Sequence, residues 1–307
     1  MKIKRVTRRL GFHGLRLLAL LAATGGADRL KGMGMRLGQL HYALRRRLRK
    51  QLVGQLETLA EQNPSPALRA DHDAILKTAF EVSDRALLEV IALYASHEPA
   101  QAISPKVVVH NMSQLELYQT LNKGIILLGM HMGNGVAMAA QLNRSHGPIH
   151  VVYRESNKVP TGFLRKGLER LGLHPVNANG PGAGFREMLK ALKAGQMVFI
   201  LMDQGSKESG VTVDFLGKRV SMPKGPAELA RRSGAPIIPV FLTEIEPAWT
   251  FDLGEPLYLD QNGAIEDQVA EMSQRMATHI LEHPQWWSWH QRRWRKLPSP
   301  SLMTGVT

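Results

Sequence analysis

Hydrophobic positions fall into two regimes along the chain. From residue 29 to about 97 they recur at helical spacing, as at Leu87, Leu88, Val90 and Ile91, with few turn residues between them. This pattern predicts a helical N-terminal region over residues 1–103. It is interrupted by NPSP at 63–66 and closed by EPAQAISP at 98–105, where prolines remove backbone donors. Beyond it, short Val- and Ile-rich runs appear at 107–109, 125–130, 149–153, 197–202 and 237–242, separated by helix-like segments such as 161–172 and 184–194. Alternating strands and helices predict an α/β core over residues 104–307, a mixed or mainly parallel sheet sandwiched by helices. VTVDFLGKRV at 211–220 alternates with period two and has a tight Leu-Gly-Lys turn, and WTFDLGEPLYL at 249–259 reads as another β unit.

With 44% hydrophobic residues in 307, the chain is long and apolar enough to bury a sizeable core, so disorder is not the default reading. The absence of cysteine excludes disulfides, a thiol nucleophile and thiolate metal sites. Charge changes the picture more. The formal net charge is +13, and residues 1–50 hold fourteen Lys and Arg against the single acid Asp28, so the whole surplus is local. Such a block meets either nucleic acid or anionic lipid. LRLLALLAAT at 15–24, broken by Arg16, is too short for a span and suits an in-plane membrane-anchoring helix over about 11–27. A cleaved signal peptide and a buried amphipathic helix are the alternatives.

GIILLGMHMGNG at 124–135 reads as a buried strand ending in a polar, Gly-rich turn that presents His131. The C-terminal end of a strand in an α/β sheet opens on the crevice where ligands bind. Histidine's unperturbed pKa lies close to physiological pH, so an imidazole there is suited to take a proton from a hydroxyl attacking a thioester. Nucleotide-binding glycine motifs and H-E-x-x-H are absent. His146 and His150 have metal-like spacing but are separated by Gly147 and Pro148, so neither a metal nor any cofactor is expected.

Several ordered blocks carry a resemblance: the strand into HMGN at 131–134, VYRE at 152–155, LKALKAGQMVFILMDQG at 189–205, VDFLGKRVSMPKGPAELARRSGAPIIPVF at 213–241, and HPQWWSWHQRRWRK at 283–296. In their order and spacing the chain resembles the bacterial late lipid A acyltransferase family of the lysophospholipid acyltransferase superfamily, over roughly residues 105–296. The resemblance implies that family's α/β sandwich and His131 as general base. It also implies an acyl donor carried as a thioester on acyl carrier protein or coenzyme A, and a lipid-linked or amphipathic acceptor, lipid A-like by resemblance. The place implied is the cytoplasmic face of the bacterial inner membrane, with peripheral or monotopic attachment.

One position departs from the family pattern. The acid expected five residues after the histidine is Val136, which cannot accept a hydrogen bond. Asp203, following a core strand in LMDQG, is the candidate substitute. His150 and Glu155 repeat the five-residue spacing, but an odd separation on a strand sends them to opposite faces. The alternatives are an acceptor acidic or nucleophilic enough to need little help, and a catalytically silent family member that binds lipid or carrier protein as a partner subunit. Arg154 matches an arginine that the family places near the substrate head group, and Lys218, Arg219 and Lys224 are further candidates to steer a phosphate. The backbone and side chain of Asn134 are candidates for binding an oxyanion. Trp286, Trp287, Trp289 and Trp294 lie among His290, Arg292, Arg293, Arg295 and Lys296, a mixture suited to an anionic membrane surface. With the resemblance, it favours lipid over nucleic acid; a packed C-terminal helix is the alternative for the tryptophans themselves.

Overall fold

A computed structural model describes residues 2–63, 65–96, 103–155, 159–179, 182–205 and 210–291. Four long helices come first: α1 (Lys2–Ala23), α2 (Gly26–Leu44), α3 (Arg46–Gln62) and α4 (His72–Ala95). Asp71 caps α4 by accepting a hydrogen bond from Asp73 N, at 2.9 Å, which satisfies one of the free amides of the first turn. Gly34 and Gly38 let α2 lie directly against α4. A Cβ at Gly34 would come 2.6 Å from the Arg85 Cα, and one at Gly38 2.4 Å from the Glu81 Cα. That approach holds α4 in a fixed register.

The membrane-anchoring helix expected over 11–27 is divided by the structure, since α1 ends at Ala23 and α2 begins at Gly26. One face of α1 is packed: Ala19 and Ala22 are buried with Leu30, Leu88 and Ile91, and Phe12 sits edge-on to Phe163 at 4.8 Å. Its other face exposes Leu17 and Leu21. Among the described residues no helix is long and apolar enough to cross a membrane.

The core is a seven-stranded mixed sheet in the order β1-β9-β8-β2-β5-β3-β4, with a separate β6–β7 hairpin. Its strands are β1 (Val107–His110), β2 (Ile125–Gly129), β3 (Ile149–Tyr153), β4 (His174–Asn177), β5 (Met197–Leu201), β8 (Ile237–Glu244) and β9 (Trp249–Leu253); the hairpin is β6 (Gly210–Phe215) and β7 (Lys218–Pro223). All neighbours in the sheet run parallel except β8 and β9. Helices α5 (Ser113–Thr120), α6 (Gly135–His146), α7 (Phe163–Arg170), α8 (Ala183–Lys193), α9 (Gly225–Ser233) and α10 (Ile265–Glu282) connect and cover the strands. β2 is buried at all five positions, as a central parallel strand between helical layers must be. The pattern of apolar runs did not announce β4, because Pro175 interrupts it and half of this edge strand is exposed. The β unit expected over 249–259 is shorter, ending at Leu253, with only an isolated bridge from Leu257 to Ile237.

Trp287 and Trp289 depart from the expectation of a membrane-interface cluster, whereas Trp286 is half-buried with its ring stacked 4.5 Å from that of His283. Trp287 is 0% and Trp289 2% exposed, packed edge-on to each other at 4.7 Å inside the core. Arg292, Arg293, Trp294, Arg295 and Lys296 lie outside the described residues.

Candidate active site

β2 and β5 are parallel neighbours, with Gly129 opposite Leu201. Two residues beyond that pair, at the same offset of 72 residues, stand His131 and Asp203. Strand register therefore brings the histidine and its candidate acid together at one edge of the sheet. The turn that presents His131 depends on Gly133, whose φ is +62°; a Cβ there would press into Leu242 and Trp249 at 2.9–3.0 Å. Glycine alone meets both demands without strain.

His131 Nδ1 lies 2.7 Å from Asp203 Oδ1, and the backbone N–H of His131 donates to Asp203 Oδ2 at 2.9 Å. Trp287 Nε1 also donates to Oδ2 at 2.9 Å. The Asp203 side chain is fully buried, whereas the imidazole keeps 26% of its surface exposed. A buried carboxylate that accepts from two other N–H groups fixes a proton on Nδ1, which leaves the Nε2 lone pair as the acceptor. Gln204 Nε2 lies 3.2 Å from that nitrogen. Behind the ring, Ser288 Oγ donates to the His131 carbonyl at 3.0 Å and Ser83 Oγ is 2.9 Å from Ser288 Oγ, tying α4 to the turn.

A cavity of about 250 Å³ opens beside His131. Its walls are apolar: Leu87 and Val90 from α4, Leu164 and Leu168 from α7, and Phe199 and Leu201 from β5. Val136 completes that wall. Tyr94 and Tyr153 line it too, and burial pushes both phenols up, so they stay neutral. The helical region and the sheet thus build one cavity jointly.

Asn134 is 1% exposed and its polar atoms are engaged. Its Oδ1 caps α6 by accepting from Ala137 N at 3.0 Å, and its Nδ2 donates to Glu89 Oε2 at 2.9 Å. The side chain considered for an oxyanion therefore serves the frame of the turn. Glu89 is the centre of that frame, since Trp249 Nε1 donates to Oε2 at 2.8 Å and Arg85 Nε to Oε1 at 2.9 Å. Arg85 lies 4.0 Å over the Trp249 ring and also pairs with Glu246 at 2.9 Å. This buried network was missed in the sequence, where Arg85 and Glu89 look like any i,i+4 surface pair. Their one distinguishing mark is that they sit in a helix apolar on every side, around Leu87, Leu88, Val90 and Ile91.

The other predicted cations stand apart. Arg154 is exposed, one residue beyond the cavity-lining Tyr153. Lys218 and Arg219 begin β7, opposite Phe215 and Asp214, and burial lowers the Lys218 ammonium. Lys224 pairs with Glu228 at 3.0 Å. None of these four lines the cavity. His150 bonds Gln196 at 2.8 Å and Glu155 accepts from Gly162 N at 3.3 Å, so the two do not meet.

Comparison with known proteins places this geometry in context. The model of the family described as bacterial lipid A biosynthesis acyltransferase matches residues 3–296. A phosphatidylinositol mannoside acyltransferase of Mycobacterium tuberculosis is 24% identical over 226 residues, covering 72% of this chain and 71% of the relative. The protein of that name from Mycolicibacterium smegmatis is 26% identical over 179 residues, 56% of this chain and 57% of the relative.

Proposed function

From the premise that the chain belongs to the bacterial lipid A biosynthesis acyltransferase family and is an acyltransferase, we propose that it moves a fatty acyl group from a thioester donor to a hydroxyl on a lipid-linked sugar. The observation that carries this reading is the His131–Asp203 pair at the mouth of an apolar cavity. His131 Nε2 takes the proton of the acceptor hydroxyl, whose oxygen attacks the thioester carbon. Asp203 holds the tautomer and stabilises the imidazolium that results. The tetrahedral intermediate then expels the thiolate, which takes the proton back from His131. The acyl tail occupies the cavity, each buried methylene contributing about 0.8 kcal/mol.

A sugar hydroxyl is favoured as acceptor because the family's description names lipid A and the relatives' names specify a mannoside of phosphatidylinositol. The donor thiol belongs to acyl carrier protein or coenzyme A. Arg154, one residue beyond the cavity-lining Tyr153, is assigned to a phosphate of donor or acceptor. The test is to incubate wild-type protein and His131→Ala with a labelled acyl thioester and a bacterial glycolipid extract. Transfer is expected in the wild type alone. Equal labelling of lipid by both proteins would overturn His131 as base, and no transfer by either would favour the silent partner.

The wall residue that replaces the family's acid gives a sharper check. Val136→Glu introduces a carboxyl group into an apolar cavity, at a cost of about 1–3 kcal/mol for an unpaired neutral polar group and more if it ionises. The expected result is roughly a tenfold lower kcat/KM with long-chain donors and little change with an acetyl donor. Raised turnover would mean that Asp203 does not suffice.

Attachment to the cytoplasmic face of an inner membrane is part of the same reading. Leu17 and Leu21, one helical turn apart, and Leu40 and Leu44 are exposed on α1 and α2, in the region that holds the basic surplus. Lys and Arg near an anionic surface contribute about 1 kcal/mol each. In vesicle sedimentation, Leu17→Asp with Leu21→Asp should weaken binding to phosphatidylglycerol vesicles about tenfold or more, by loss of apolar insertion. Undiminished binding would remove α1 from the contact.

A further inference from the structure

We propose that Gln204 is a further catalytic residue, one that holds His131 Nε2 in the resting protein and gives its amide N–H to the oxyanion when the acceptor enters. The inference rests on the acyltransferase reading above. The successive residues Asp203 and Gln204 bracket the imidazole, the first 2.7 Å from Nδ1 and the second 3.2 Å from Nε2. With the proton fixed on Nδ1, Nε2 has only a lone pair to offer, so the Gln204 carboxamide presents its NH₂ and not its oxygen to the ring.

An acceptor hydroxyl must come within about 2.6–3.2 Å of the same nitrogen to be deprotonated. One lone pair cannot serve both donors, so the Gln204 amide is displaced and stays within a hydrogen-bond length of the reacting atoms. As the hydroxyl oxygen bonds to the thioester carbon, the carbonyl electron pair moves onto its oxygen. A donor already beside the base is then the group best placed to meet that charge. The obvious alternative, the Asn134 side chain, is buried and engaged with Ala137 and Glu89. Gln204 by contrast is exposed, so it is able to swing and its replacement leaves the core untouched. Collapse of the intermediate reforms the carbonyl, releases the thiolate and returns the amide to Nε2.

The two roles predict opposite effects of one substitution. In the Gln204→Ala protein, carbethoxylation of His131 by diethyl pyrocarbonate, mapped by mass spectrometry, should accelerate several-fold because the Gln204 amide no longer holds Nε2. Single-turnover acyl transfer should fall by about 10²–10³ with KM little changed, the loss typical of one oxyanion donor. Gln204→Glu, which accepts where glutamine donates, should be no faster, and its new charge beside the imidazole should move the acidic limb of the pH–rate profile upward. Unchanged turnover in Gln204→Ala overturns the proposal, as does reduced turnover with unchanged modification of His131. Absence of transfer in the wild type, with the two modification rates still different, would defeat the acyltransferase reading itself and the proposal with it.

Discussion

Asp203→Asn is expected to lower kcat by about 10⁴-fold while leaving KM for the thioester within a few-fold, because the loss falls on the base and not on the acyl cavity. The magnitude is that of the equivalent change in a serine-protease triad, where an amide in place of the carboxylate stabilises the wrong tautomer. Here the amide oxygen can keep the N–H groups of His131 and Trp287 only by turning its NH₂ toward His131 Nδ1, which must then accept and leave the proton on Nε2, the wrong nitrogen for a base. The opposite orientation would set the NH₂ against two buried N–H groups, at about 1–3 kcal/mol for each donor left without an acceptor, so the tautomer change is the smaller cost and Tm falls little beside the loss of turnover. Trp287→Phe separates the two effects: it removes one donor to Asp203 and leaves the Nδ1 bond in place, so kcat should fall by tenfold or less. A 10⁴-fold loss in Trp287→Phe, or a near-normal Asp203→Asn, would show that Asp203 is not the partner of the base.

The second large effect is on stability and lies on α4. Glu89 is 2% exposed and accepts from Arg85, Trp249 and Asn134, so Glu89→Ala leaves the Trp249 indole N–H and the Asn134 amide without their acceptor and a buried guanidinium with only Glu246 and the Ile245 carbonyl. Breaking a buried ion pair by deleting one partner costs about 3–5 kcal/mol. For a chain of this size that corresponds to a fall in Tm on the order of 10 °C by calorimetry. Glu89→Gln retains an oxygen that can serve Trp249 or Asn134, and Arg85 keeps Glu246, so its loss should be about half as large. Because Asn134 caps the helix that follows the His131 turn, turnover should fall in Glu89→Ala even well below its Tm. Full activity there would make the network purely structural.

What the sequence determined by itself is the alternation of elements and the place of His131, the proposed base. IILLG in β2, apolar at every position, announces a strand covered on both faces, and HMGNG after it announces a turn at a ligand-binding edge. Local periods report which face of an element is buried, and glycine reports where the backbone must turn left, so both survive without knowledge of neighbours. The partner of His131 is another matter. Asp203 follows an unremarkable strand, and only the pairing of β2 with β5 in a fixed register brings it 2.7 Å from the imidazole. Strand order is set by long-range packing, which no local period encodes. The same holds for Arg85 and Glu89, whose spacing suits a solvated helix face until α2 and the sheet bury them. It holds also for Trp287 and Trp289, whose basic neighbours suggested a membrane interface although the core closes around them. The tertiary structure decided which charges and rings face inward, because burial belongs to the assembled layers and not to any one segment.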